Sequence, residues 1–256
     1  MDTELETLIN QQPNLWRAAN HGEQSSNNIA VLDSQHDSLN KALHGGGWPL
    51  GCNNELYLPF EGIGELRLLI PALRHGNTDS NGYIFWIAPP FLPFAPALAQ
   101  QHIDLKKLII VNAETTADTL WATEQAMLSG SCNTVFSWFG QAPLGMRELR
   151  RLQLAARKHN CWHVLFRHQR CANQVSASSL RMSVNADKTG QLDLHILKQP
   201  GGWSGQDLRV SVSPHYEQWQ RLPVDLLPFH THQNLPNIGD NPPPQASSVH
   251  PIENKI

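Results

Sequence analysis

The fold of this chain is decided by the stretch Glu55-Leu-Tyr-Leu-Pro-Phe-Glu-Gly-Ile-Gly-Glu-Leu-Arg-Leu-Leu69, which predicts a short apolar strand, a glycine turn and an amphipathic helix. This order is the layout of a phosphate-binding loop, whose motif is Gly-x-x-x-x-Gly-Lys-Ser/Thr. Gly64 matches the second glycine of the motif, but Glu65 stands where the lysine belongs and Leu66 where the hydroxyl belongs. Because Pro59 also stands where the first glycine belongs, the loop has the layout of the motif without its chemistry.

The exchange of a lysine for a carboxylate changes the sign of the charge beside this loop. A carboxylate there would lie close to a bound phosphate and repel it, by about 1 kcal/mol in a watery site and several times more in a shielded one. We therefore interpret residues 55–69 as a nucleotide-binding architecture that has lost the ability to bind nucleotide. The alternative is that Gly62-Ile-Gly64 is only a tight strand-to-helix connection in an unrelated α/β protein.

Length and charge bound the classes of function. The 256 residues suffice for one large α/β domain with an appendage, and 40% of them are apolar, as in globular proteins. The formal net charge of −3 lacks the overall basic field that drives autonomous DNA binding. Any contact with DNA is therefore expected to be weak, local or indirect through a partner.

Compartment is predicted from the cysteines and from the apolar runs. The four cysteines form no C-x-x-C pair and no zinc-finger spacing, which favours a reduced, cytoplasmic chain without a metal site. The acidic start, Met1-Asp-Thr-Glu-Leu-Glu6, does not resemble a secretory signal, and no apolar run approaches about 18 residues. We expect a protein with no membrane contact.

Four regions are predicted along the chain. Residues 1–28 are polar and predict a mobile N-terminal arm, and residues 29–172 predict the α/β core that holds the degenerate phosphate loop. Residues 173–213 alternate apolar and polar side chains and predict a small β-hairpin element. Residues 214–256 are rich in Pro, His, Asn and Gln and predict a disordered tail.

Within the core, short apolar runs alternate with helical patterns, which predicts a mainly parallel sheet covered by helices on both faces. The predicted strands after the first are 83–88, 107–111, 134–139 and 161–166. The predicted helices between them are 66–73, 96–101, 115–129 and 144–159.

The segment 31–51, followed by Glu55-Leu-Tyr-Leu-Pro59, resembles the part of the RecA ATPase core that leads into its phosphate loop. The chain as a whole resembles the ImuA family of RecA-like, SulA-related accessory proteins over roughly residues 15–212. The matching features are Leu15-Trp-Arg-Ala18, Gly45-Gly-Gly-Trp-Pro49, the run Pro59 to Leu66, and the block from Ser178-Ser-Leu-Arg181 to Lys198-Gln-Pro-Gly-Gly202.

This resemblance implies a RecA-like fold and a non-enzymatic adaptor of SOS-induced translesion DNA synthesis, the damage-induced mutagenesis of bacteria. The implied partners are a Y-family polymerase-like protein of the ImuB type, RecA, and an error-prone replicative-type polymerase. No cofactor is implied. The first alternative is a SulA-like cell division inhibitor, because residues 104–171 share the general plan of that family. The second alternative is an active RecA-like ATPase or recombinase.

Two other positions that carry acidic residues in an ATP-hydrolysing core also lack them here. The end of the second predicted strand, Ile87-Ala-Pro-Pro90, offers no carboxylate to activate water. Trp138 and Phe139 end the strand where a metal-side aspartate is normally found. Ser137 lacks the G-x-S-x-G context of a hydrolase nucleophile, so we predict no catalytic residue.

Two surfaces remain as candidates for partner binding. The predicted helix 144–159 turns Leu149, Leu152 and Ala156 inward and carries a basic face, for which a simple solvated face is the alternative. Its basic residues are Arg147, Arg150, Arg151, Arg157 and Lys158.

The second surface is an aromatic and apolar island in the tail, at residues 215–229. Its composition is typical of a segment that folds onto a partner, or else onto its own domain. Its candidate contact residues are Tyr216, Trp219, Leu226, Leu227 and Phe229.

Overall fold

A computed structural model describes residues 29–77, 82–187 and 190–212. The arm at 1–28, the tail at 214–256 and the island residues Tyr216, Trp219, Leu226, Leu227 and Phe229 lie outside the described residues. The strands are β1 (Val31–Leu32), β2 (Trp48–Pro49), β3 (Cys52–Leu58), β4 (Tyr83–Ile87), β5 (Leu108–Val111), β6 (Cys132–Gly140), β7 (Trp162–His168), β8 (Leu180–Ala186), β9 (Gln191–Lys198) and β10 (Gln206–Ser211). The helices are α1 (Asp37–Ala42), α2 (Glu65–Asn77), α3 (Ala95–Gln100), α4 (Thr116–Leu128) and α5 (Met146–Lys158).

Eight strands form one mixed sheet in the order β10-β9-β8-β3-β7-β6-β4-β5. From β8 through β5 every neighbouring pair is parallel, whereas β8–β9 and β9–β10 are antiparallel. The central strand β3 is buried along its whole length because it has a parallel neighbour on each side and layers on both faces. The predicted α/β class, with a mainly parallel sheet flanked by helices and a C-terminal hairpin, is confirmed.

Successive residues of β6 separate the two sides of the sheet. Phe136 and Trp138 point to one side and join the core cluster that contains residues of α1, α2 and α3. Val135 and Phe139 point to the other side and join the cluster that contains residues of α4 and α5. This alternation follows from the two-residue period of a strand, and it places α4 and α5 in one layer.

The β8–β9 hairpin buries one face, as its alternating pattern predicts. Leu180, Met182 and Val184 on β8 are buried, as are Leu192, Leu194 and Ile196 on β9. The hairpin extends the main sheet, because β8 pairs in parallel with β3 through partners such as Leu56 and Met182. The boundary at residue 173 stays a prediction, but the sheet itself continues across it.

The third glycine of the triplet before β3, Gly47, lies where a side chain would clash with the backbone. A Cβ added at Gly47 would lie 2.4 Å from the carbonyl oxygen of Leu32. The close approach allows β1 and β2 to pair, with Leu32 opposite Trp48. Trp48 is fully buried in the core, so the triplet anchors the segment that leads into β3.

Candidate functional site

The loop between β3 and α2 folds its own carboxylate into its amide groups. Gly62 and Gly64 have φ values of +87° and +109°, which side chains with a Cβ rarely adopt. The Gly62 N–H donates to Oε1 of Glu65 at 2.9 Å, and the Gly64 N–H donates to Oε2 at 3.1 Å. Glu65 is only 4% exposed, so both of its carboxylate oxygens are held inside the loop.

This arrangement gives the substitution at Glu65 a more specific meaning than charge repulsion. Successive backbone N–H groups at the start of a helix form a site for an anion, and here the anion is the side chain of the first helical residue. Leu66 packs against the core cluster on the α2 side, and Pro59 directly follows β3. A phosphate at these amides would have to displace a carboxylate that is covalently part of the loop.

The ends of β4 and β6 carry apolar residues at the two positions where an ATP-hydrolysing core has its water-activating and metal-binding carboxylates. Ala88, with a φ of +52°, and Pro89 follow β4 and bring no carboxylate. Trp138 and Phe139 at the end of β6 are buried, and the Trp138 ring stacks on Phe166 with centroids 4.6 Å apart. The end of β6 is therefore filled by packed aromatic rings.

The carboxyl ends of β3 and β4 meet the same edge of the sheet, which is where ligands bind in open α/β folds. Large apolar side chains are exposed there: Phe60 after β3 is 62% exposed. The loop after β4 exposes Phe91, Leu92 and Phe94 by 71%, 83% and 71%. We call these four residues the apolar edge. Sequence analysis missed them, although the run Phe91-Leu-Pro-Phe94 between prolines was a readable signal of exposed apolar groups.

A buried ionic cluster fixes the strands beside this edge. Glu55 on β3 lies 3.2 Å from Nη1 of Arg167 on β7 and 3.2 Å from Nε of Arg181 on β8. The Tyr57 hydroxyl donates to Glu55 at 2.7 Å, and burial raises the pKa of that phenol well above its usual value. Each side chain of the cluster comes from β3 or from a strand that pairs with it, so the cluster acts as a cross-strand clamp.

A second buried chain of hydrogen bonds has the order of a catalytic triad. Oγ of Ser137 lies 2.9 Å from Nε2 of His163, whose Nδ1 lies 2.9 Å from Oδ1 of Asn53. Asn53 also donates its Nδ2 hydrogen to the carbonyl of Leu149, so its Oδ1 accepts from His163 and Nε2 of His163 accepts from Ser137. All three side chains are fully buried, and desolvation lowers the pKa of His163 to about 3. No substrate reaches Oγ of Ser137 in this conformation, and the chain instead joins β3, β6 and β7 to α5.

The basic face predicted on helix 144–159 lies on the outside of α5. Leu149, Leu152 and Ala156 are buried as predicted. The predicted contact residues Arg147, Arg150, Arg151, Arg157 and Lys158 are all exposed. Arg151 pairs with Glu124 of α4 through two hydrogen bonds, one of them from Nε at 3.2 Å.

The described residues contain neither a cluster of metal ligands nor a membrane-spanning helix. Within residues 29–77, 82–187 and 190–212, no three His, Cys, Asp or Glu side chains are grouped as metal ligands. None of the helices in this described part has the length and apolar character needed to cross a bilayer.

A curated protein is distantly similar to part of this chain. No protein-family model matches the chain. A cell division inhibitor SulA from Photorhabdus laumondii subsp. laumondii is 28% identical over 115 residues. The match covers 45% of this chain and 63% of that protein, which is less than two thirds of its length. This chain is therefore distantly similar to SulA.

Proposed function

We propose that this chain is a non-enzymatic adaptor of SOS-induced translesion DNA synthesis that works by protein contact and binds no nucleotide. The observation that supports the absence of nucleotide binding is the position of the Glu65 carboxylate, which accepts hydrogen bonds from the amides of Gly62 and Gly64. An adaptor of this kind needs a rigid platform and contact surfaces, and has no use for a phosphate site.

The rigid platform is supported by the sheet. The buried cluster around Glu55 joins β3 to β7 and β8, and the Ser137–His163–Asn53 chain joins β3, β6 and β7. The apolar edge supplies a contact surface at the place where a nucleotide would otherwise bind. The proposed partners are the Y-family polymerase-like protein of the ImuB type, RecA and an error-prone replicative-type polymerase, with DNA contacted weakly or indirectly.

Calorimetric titration with ATP and magnesium tests the proposal that the chain binds no nucleotide. We expect no heat of binding for the unaltered chain. Micromolar affinity accompanied by ATP turnover would overturn the proposal and favour a RecA-like ATPase or recombinase. The matched variant Glu65→Ala frees both amides without adding charge, so binding by this variant alone would identify the carboxylate as the group that excludes phosphate.

A second candidate, a cell division inhibitor, is favoured by one specific observation. The similarity to SulA supports this candidate more directly than it supports translesion synthesis. The similarity leaves more than half of this chain unmatched, so the activity of the whole chain is not carried over with it.

Expression in a bacterial host that lacks the gene separates the two candidates. Filamentous cells with an unchanged frequency of damage-induced mutation would establish the inhibitor and reject the adaptor. An altered frequency of induced mutation in cells of normal length would do the opposite. The variant Leu92→Ser, with Phe94→Ser, removes two side chains of the apolar edge and is expected to abolish whichever phenotype is seen, whereas the exposed control Lys106→Ala leaves it intact.

A further inference from the structure

Two exposed apolar side chains stand on the layer formed by α4 and α5, on the opposite side of the sheet from α2. Trp121 on α4 is 64% exposed and Leu154 on α5 is 62% exposed. Each lies on the side of its helix that faces away from the sheet, because α4 turns Thr119, Thr123, Ala126 and Met127 inward, and α5 turns Leu149, Leu152, Ala155 and Ala156 inward. Trp121 and Leu154 therefore do not pack into the hydrophobic core to which their helices contribute.

The ion pair between the helices connects these two side chains. Glu124 follows Trp121 by three positions, and Leu154 follows Arg151 by three positions, so each apolar residue lies one helical turn from the Arg151–Glu124 contact. Trp121 and Leu154 thus lie on the outer side of the same helix layer, each one helical turn from the ion pair that joins the two helices.

The surface around Leu154 is strongly positive. Arg150, Arg151, Arg157 and Lys158 lie at positions four before, three before, three after and four after Leu154, which are the positions that surround a residue on a helix face. Arg147 lies one turn further toward the start of α5. Among the described residues, only Arg151 of these five cations forms an ion pair.

Acidic groups near the surface are few and mostly engaged. Glu124 is held by Arg151 and Asp118 by the hydroxyl of Thr115, while Glu148 lies half-buried in the first turn of α5. The outer face of α5 is therefore positive on a chain whose formal net charge is −3. A local basic patch on an acidic protein attracts an acidic partner at short range but gives little long-range attraction to a nucleic acid.

We propose that Trp121, Leu154 and the surrounding cations form a docking surface for an acidic protein segment that inserts apolar side chains between carboxylates. Tryptophan and arginine are among the residue types that are enriched where a few side chains dominate the binding energy of a protein interface. The exposed leucine favours a protein over a nucleic acid, because phosphate contacts need no aliphatic anchor. The inference deepens the proposed adaptor function by naming the chemistry of one partner, and it rests on that function only for its biological setting.

Fluorescence anisotropy with three labelled probes tests the surface on the full chain. The first probe is a 20-residue peptide of Glu and Leu with the leucines at helical spacing, the second replaces each Leu by Ser, and the third is single-stranded dT20. We expect the first probe to bind at least about tenfold more tightly than either of the others. No binding of the first probe, or equal binding of the first and second, would overturn the proposal. Tighter binding of dT20 would also overturn it in favour of a nucleic-acid surface.

Variants locate the binding site. Arg150→Glu with Arg157→Glu is expected to weaken the first probe at least tenfold, and Leu154→Ser or Trp121→Ser several-fold, because all these side chains are exposed and their loss leaves the core unchanged. The matched control Lys106→Glu reverses an exposed charge outside the surface and is expected to leave affinity within twofold. Equal weakening by Lys106→Glu would show general charge attraction and reject the site. This result does not depend on whether the chain binds ATP. The proposed docking surface and the proposed absence of nucleotide binding can therefore be rejected independently of each other.

Discussion

Glu55 and Arg167 form an ion pair at 3.2 Å in which both side chains are completely buried. Arg181, which is 14% exposed, shares the same carboxylate. Two guanidinium groups thus depend on one carboxylate, and Arg181 also donates to the carbonyls of Ala172 and Gln174. Removal of one member of a buried pair leaves an uncompensated charge, which costs far more than the pair contributes over an apolar replacement.

The first prediction concerns Glu55→Ala. We expect the free energy of unfolding to fall by about 3–5 kcal/mol, because Arg167 keeps its charge in a site that water does not reach. Urea denaturation followed by circular dichroism measures the loss. The matched control is Asp193→Ala, which breaks the ion pair with Arg209 on the exposed face of β9 and β10, and it is expected to change stability little. Similar losses in the two variants would contradict a special role for burial.

The second prediction is a pH dependence that comes from His163. Its pKa is about 3 in the folded chain and near 6.5 when unfolded, so between these values the unfolded chain binds one more proton. The stability that the neutral imidazole contributes is fully present above about pH 6.5 and is lost as the pH falls toward 3, with a slope of up to about 1.4 kcal/mol per pH unit.

Denaturation of the unaltered chain and of His163→Gln at pH 7, 5.5 and 4.5 isolates this contribution. The variant is expected to be less stable at pH 7 but to lose stability less steeply as the pH falls. His159→Gln changes an exposed imidazole and is expected to follow the unaltered chain. Parallel curves for His163→Gln and the unaltered chain would show that His163 takes up its proton while folded.

The third prediction concerns the thiols. All four cysteines of the chain are buried, and burial raises the pKa of Cys52 to about 12. At pH 8 only about one Cys52 thiol in ten thousand would be the reactive thiolate. We expect Ellman's reagent to modify the folded chain only as fast as it unfolds, and to modify four thiols at once in guanidinium. The variant Lys106→Cys adds one exposed thiol that reacts within seconds, and equally fast reaction of the native thiols would contradict the buried arrangement.

Sequence patterns were sufficient for elements whose signal is local. The run Val135-Phe-Ser-Trp-Phe139 predicts a strand covered on both faces, and the alternation from Leu180 to Ile196 predicts a hairpin with one buried face; the structure has both. Pairing between distant segments has no such signal. The addition of β8 to the free side of β3 depends on contacts across more than 120 residues, so the hairpin was predicted as an element but not as part of the main sheet.

The candidate site shows the same division. The absence of the motif's lysine and hydroxyl is visible in the sequence, at Glu65 and Leu66. The inward position of the Glu65 carboxylate depends on the positive φ angles of Gly62 and Gly64, which the sequence does not specify. The contact of Ser137 with His163 and Asn53 joins three strands and could be found only in the folded chain. The basic residues of α5 were predicted as a face, whereas their enclosure of Leu154 and their link to Trp121 required the burial pattern of two helices.

The last prediction concerns the contribution of the Glu65 carboxylate to the stability of the fold. It satisfies two amides in the loop that begins α2, and its negative charge lies at the positive end of a 13-residue helix. Glu65→Ala removes both hydrogen bonds and the charge, so we expect a loss of about 1–3 kcal/mol in the free energy of unfolding. Glu65→Gln keeps one amide oxygen as an acceptor and is expected to lose less than Glu65→Ala.

Glu61→Ala is the matched control, since Glu61 belongs to the same loop but is exposed. It is expected to leave stability unchanged in the same denaturation measurement. If Glu65→Ala were as stable as the unaltered chain, the carboxylate would have no structural role, and its position would need a functional reason such as direct contact with a partner. A graded loss from Gln to Ala would instead show that the carboxylate is the acceptor that stabilises the strand–loop–helix connection through the amides of Gly62 and Gly64.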